Sequence, residues 1–147
     1  MFGTKEHLFL EVIDRAIETL LTAFRTAIGD HAQTGGPAAE LPAILGALYI
    51  DLAEAQAVHR SLLHAFVQGS DPVVGDRARA GFLKIWALLR DEAGLDEAEA
   101  RDFLARGMLI SVLLSIQMPN NASVDARALE MLTSTFGAHL SVILPTK

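Results

Sequence analysis

Hydrophobic side chains return every three or four residues along this chain, and no segment alternates apolar with polar as a strand would, so each readable segment is predicted to be a helix. From Thr4 to about Ile28, the residues Leu8, Val12, Ile13, Ala16, Ile17, Leu20, Phe24 and Ile28 share one face of a long amphipathic helix. Thr4 suits its N-cap, Glu6 suits the positive helix start, and Glu11 with Arg15 forms an outward i, i+4 pair. Gly29 and Asp30 are expected to end it, and Gly35, Gly36 and Pro37 punctuate a loop. A second helix is expected from near Pro42 to about Ala57, with Leu41, Leu45, Leu48, Leu52 and Ala55 inward and Asp51 and Glu54 outward. The pattern loses phase around Val58 to Arg60. Ser61 to Gln68 then reads as a short third helix closed by Gly69. Asp71 as cap and Pro72 at the first helical position start a fourth, which carries Phe82, Ile85, Trp86 and Leu89 inward and stops near Gly94.

The next helix organises the rest. Asp96 at its N-cap and Glu99 three residues on form a variant capping box. From Gly107 to Ile116 it has no charged side chain, and a helix that is apolar all round must be covered on all sides. Gly107, Ser111 and Ser115 lie at successive i, i+4 positions, a stripe of small residues on which another helix could approach closely. Pro119, Asn120 and Asn121 end this helix. Ser123 is expected to cap a last one, whose apolar face is Leu129, Leu132, Phe136, Leu140 and Ile143 and whose second stripe is Ser134, Gly137 and Ser141. The expected fold is all-α, a bundle of about six helices forming a single domain over residues 1–147. Its last two helices meet those of a symmetry mate as a four-helix homodimer interface.

Composition narrows the chemistry. With 51% hydrophobic and 20% charged residues, the chain has ample material for a core. The absence of cysteine excludes disulfides and thiol chemistry and agrees with a reducing compartment, so a cytoplasmic location is expected. The apolar run of the central helix is shorter than the ~18 residues of a membrane span and contains Ser111 and Ser115, so no membrane association is expected. A formal charge of -6 argues against a nucleic-acid surface, and Arg77, Arg79 and Lys84 read as the solvated face of a helix. Gly35 and Gly36 lack the preceding strand and the following Gly-Lys-Ser/Thr of a phosphate loop. His59 and His64, five apart, fall on different faces, and His7 with Glu11 is a surface pair, so neither set supplies three convergent metal ligands. No catalytic motif is present: Ser111 and Ser115 lack an evident base and are better read as small packing residues that bond back to the preceding turn. No enzymatic activity, metal or cofactor is expected.

The opening residues Phe2-Gly3-Thr4-Lys5-Glu6-His7-Leu8-Phe9 resemble the junction that follows the DNA-binding unit of TetR-family transcriptional regulators. That family's pattern is Tyr-x-x-Phe-x-Ser/Thr-Lys-Glu/Asp-x-Leu, matched here at Phe2, Thr4, Lys5, Glu6 and Leu8. The segment from Phe103 to Leu109 is similar to the family's first dimerisation helix. The resemblance implies a ligand-binding and dimerisation domain, with DNA read by a helix-turn-helix domain that would lie before residue 1. It implies a small effector held inside each subunit among the first, second, fourth and central helices. Tyr49, Phe82, Trp86, Phe103, Met108 and Gln117 are then the candidate ligand contacts, since such pockets are mostly apolar with a few polar anchors. The lining points to a hydrophobic or aromatic effector. The alternative is a dimerisation-only module whose aromatic side chains simply fill its core.

Overall fold

The computed structural model describes residues 4–56 and 58–146, with side chains left aside from Glu54 to Val58. Its α-helices are α1 (Thr4–Thr34), α2 (Leu41–Gln56), α3 (Val58–Val67), α4 (Pro72–Ala87), α5 (Glu97–Ser115), α6 (Ala126–Phe136) and a last single turn, α7 (Leu140–Ile143). No strand occurs among the described residues, and no helix there is long and apolar enough to cross a membrane. The long α1 is the spine. α2, α3 and α4 all pack on it, α5 lies across α2 and α3, and α6 packs on α5. Ile13, Leu21 and Phe24 of α1 meet Leu45 and Ile50 of α2, Leu88 and Leu89 after α4, Ile110 and Leu113 of α5 and Leu132 and Phe136 of α6 in one continuous core.

The helix starts follow local chemistry. Asp71 accepts hydrogen bonds from the backbone N–H of Val73 and Val74, both at 3.0 Å, ahead of Pro72. At α5 both halves of the capping box close: Glu99 N–H donates to Asp96 at 2.8 Å and Asp96 N–H donates to Glu99 at 2.9 Å. α4 ends in a wide π turn over Leu88–Glu92, stopped by Gly94 at φ +73°. The basic residues of α4 each meet an acid, Arg77 with Asp14, Arg79 with Asp76 and Lys84 with Glu18, so they form a neutralised, solvated face. Exposed pairs of this kind contribute at most about 1 kcal/mol each.

Several elements depart from the sequence expectation. α1 does not stop at Gly29 but continues to Thr34, because a helix-interior glycine costs only about 1 kcal/mol and ends nothing by itself. The stop is Gly35 at φ +67°, with the Thr34 hydroxyl donating to the His31 carbonyl at 2.8 Å and the His31 ring N–H to the Pro37 carbonyl at 3.0 Å. The inward face of α1 is also rotated at its start: Leu8 and Val12 are 55% and 48% exposed, while Leu10 and Leu21 are buried. Glu11 pairs with His7 at 3.7 Å. α3 begins at Val58, where the periodicity alone suggested a break, and the faces assigned to Glu54 and Ala55 lie outside the described side chains, as Ala57 and Phe2 lie outside the described residues. Asp125, not Ser123, caps α6 by accepting from Arg127 N–H at 2.9 Å. The Arg127 guanidinium, then that backbone bond, hold the Asp125 carboxyl below its usual range. The last helix is broken at Gly137, φ +54°, so Leu140 and Ile143 belong to the separate turn α7.

Two glycines let α4 settle into the bundle. A Cβ on Gly81 would sit 2.9 Å from Ile17 Cδ1 of α1, and one on Gly75 would overlap the carbonyl oxygen of Gly69. By contrast a Cβ on Gly29 would meet nothing within 4 Å. The pair Gly75→Ala and Gly29→Ala therefore separates close packing from helix propensity. Chemical denaturation should show Gly75→Ala destabilised by roughly 1–3 kcal/mol, because backbone cannot yield as a flexible side chain does. Gly29→Ala should be stabilised by about 0.5–1 kcal/mol.

Candidate ligand-binding site

Where α1 to α5 converge, their side chains enclose a small apolar chamber of about 40 Å³, which by the ~10–15 Å³ needed per water is room for a few water molecules. α1 supplies Leu20 and Phe24, α2 Tyr49, α3 Leu62 and Phe66, α4 Phe82 and Ile85, and α5 Phe103, Leu104, Gly107, Met108 and Ser111. The walls are held by edge-to-face ring pairs: Phe24 and Phe103 at 5.9 Å and 76°, Phe66 and Phe82 at 5.5 Å and 85°. Each such pair contributes about 0.5–1.5 kcal/mol beyond its burial. Next to the chamber lies a solvent-open groove of about 540 Å³, walled by Phe66, Gly69, Gly75, Ala78, Arg79, Phe82, Leu83 and Met108. Phe66, Phe82 and Met108 belong to both walls.

The chamber's polarity is confined to one pair. Tyr49 and Ser111 are both buried, the phenol hydroxyl is hydrogen-bonded to Ser111 Oγ, and Ser111 Oγ donates back to the Gly107 carbonyl at 3.0 Å. Gly107 faces the ring, and a Cβ there would lie in ordinary contact with Tyr49 Cε1 at 3.9 Å. Burial pushes the Tyr49 phenol above its ordinary value, with the Ser111 hydrogen bond pulling more weakly the other way.

The sequence-derived candidates divide. Tyr49, Phe82, Phe103 and Met108 come together in one wall. Trp86 is half-buried against the core one turn beyond Phe82 and is not part of that wall. Gln117 is exposed beyond the end of α5 in the left-handed conformation, φ 56°, and its side-chain carbonyl accepts from Asn120 at 3.2 Å. A polar residue closing an apolar run suggested a buried anchor, but the helix ends before reaching it. The wall also holds Phe24, Phe66 and Ser111, which were not among the candidate ligand contacts, although periodicity places Phe24 on the inward face of the first helix and Ser111 on the small-residue stripe. Phe66 had the signal of an aromatic in a short helix, and Ser111 had that of a hydroxyl in an apolar one.

The small-residue stripes are also placed differently from the sequence reading. Gly107 and Ser111 turn toward Tyr49 inside the subunit, while Ser115, Ser134, Gly137 and Ser141 are exposed and do not continue them. The outward face of α5 is instead Ala105, Leu109, Val112 and Ile116, with Leu109 and Val112 each 41% and Ile116 60% exposed. Gly107 and Ser111 are used instead in packing against Tyr49 of α2 in the same chain. Of the histidines, His59 is buried with its Nδ1–H donating to the Ala53 carbonyl at 3.1 Å, and His64 is exposed against the edge of Phe9. Among the described residues no group of three His, Asp or Glu is placed to hold a metal.

Tyr49 is the chain's only tyrosine, so its ionisation is readable alone in the near-ultraviolet. A titration should place its midpoint above the ordinary ~10. An acid whose folded-state value is raised contributes stability that is complete below its unfolded value and is lost as pH rises through the folded one. Unfolding free energy should accordingly decline above pH ~10, and decline less in Tyr49→Phe.

No protein-family model matches this chain, and no significant match to it was found among curated proteins or solved structures.

Proposed function

We propose that this chain is the ligand-binding and dimerisation module of a TetR-like transcriptional regulator, taking a small hydrophobic or aromatic effector between α1 and α5. The observation that carries the reading is the chamber: side chains from five helices converge on it, and it shares Phe66, Phe82 and Met108 with a large open groove beside it. An effector larger than a few waters has to displace those three side chains, joining chamber and groove. Leu20 and Phe24 make α1 itself one of the walls, and α1 is the helix whose opening residues Thr4, Lys5, Glu6 and Leu8 carry the resemblance. A ligand that favours one seating of α1 over another shifts the helix in proportion to its differential affinity, and through it a DNA-reading unit of the kind the family places before this point.

The homodimer in this proposal uses the outward face of α5, where Leu109, Val112 and Ile116 leave apolar surface in the single chain, with exposed Leu129 of α6 beside it. Burial of such faces is the usual driving force for helical dimers. A second reading, a dimerisation module without an effector, is favoured by the chamber's size, since about 40 Å³ is close to a packed core.

Native mass spectrometry separates them. The proposal expects a dimer that takes up apolar small molecules and whose single tryptophan, Trp86, changes its fluorescence on uptake; a dimer that takes up none supports the second reading. The variant Leu109→Glu with Val112→Glu should run as a monomer at micromolar concentration with its helical content unchanged, because neither side chain belongs to the buried core. A variant that remains dimeric would place the interface elsewhere.

A further inference from the structure

The two hydroxyls of the chamber wall carry two protons, and the geometry commits both. A serine hydroxyl has a single proton to donate, and that of Ser111 goes to the Gly107 carbonyl at 3.0 Å. The contact between Tyr49 and Ser111 then closes as a hydrogen bond only if the phenol donates to Ser111 Oγ. Tyr49 keeps its proton at neutral pH, because burial raises the phenol above its ordinary value. What remains for an occupant is acceptor capacity alone, a lone pair on the Tyr49 oxygen and the second lone pair of Ser111 Oγ. Among the described residues no other oxygen or nitrogen side chain lines the chamber, and Arg79, the charged residue of the groove, stands outside it and is paired with Asp76.

We infer that the chamber selects a neutral apolar ligand bearing one O–H or N–H donor, a phenol, alcohol or aryl N–H compound, which donates to the Tyr49–Ser111 hydroxyl pair. The inference rests on the ligand-binding reading above and specifies the chemistry of that site. A carboxylate would bring a desolvated charge to a wall with no cation. An ether or ketone offers only lone pairs, which face the lone pair of Tyr49. To serve it, the phenol must turn its proton from Ser111 Oγ to the ligand. One hydrogen bond is lost in that exchange, about tenfold in affinity.

The test uses matched probes on the whole chain by isothermal titration calorimetry at neutral pH: β-naphthol, its methyl ether and β-naphthoate, with phenol and indole as smaller donors. The expected order is naphthol about tenfold tighter than its ether, and naphthoate weakest. In the double variant Tyr49→Phe with Ser111→Ala both acceptors are gone, so naphthol and its ether should bind within about twofold of each other. In Ser111→Ala the phenol is released from its partner and its proton is free for a ligand. The ether should then gain affinity and the preference should shrink or reverse, a response that loss of packing would not produce. Circular dichroism establishes that each variant folds, and either one suffices.

Binding of ether or naphthoate as tightly as naphthol, or a preference unchanged by both substitutions, overturns the donor assignment while leaving a ligand chamber in place. Failure of every probe, the small donors included, overturns the ligand-binding reading along with it.

Discussion

A helix without charged side chains over nearly three turns cannot stand in water, and the covering of α5 shapes much of this molecule. Ile110, Leu113 and Leu114 are sealed by the core, Ser111 and Gly107 by α2, and Phe103 by α1. One side is left: Ala105, Leu109, Val112 and Ile116 face outward. The same helix thus walls an interior chamber on one face and presents apolar surface on the other.

Aromatic rings make up much of the chamber wall, with Phe24 against Phe103 and Phe66 against Phe82 edge to face. Gly75 and Gly81 allow α4 its close approach, Gly75 to the Gly69 carbonyl and Gly81 to Ile17 of α1, on the helix that carries Phe82 and Ile85 into the wall. The single hydroxyl pair adds direction to an otherwise unspecific apolar volume.

Much of this was legible from residue order alone, and the reasons are local. The helical period, the Asp71-Pro72 start and the reciprocal Asp96 and Glu99 bonds depend on residues within a turn of one another, so they read directly from sequence. Tyr49, Phe82, Phe103 and Met108 were legible as large side chains on inward faces. Trp86 and Gln117 were misplaced because an inward face says nothing about which side of a core it reaches, or where a helix stops.

What the sequence determined by itself was the all-helical class, most helix boundaries and an apolar central helix in need of cover. Only the tertiary structure decided which neighbour covers which face. Gly107 and Ser111 could equally have met a second subunit or α2, since spacing specifies a stripe of small residues without specifying the partner. The structure gives them Tyr49, whose ring lies over Gly107 and whose hydroxyl bonds to Ser111. That one choice turns a stripe of small residues into the polar corner of an interior pocket and leaves larger aliphatic side chains on the outside of the helix.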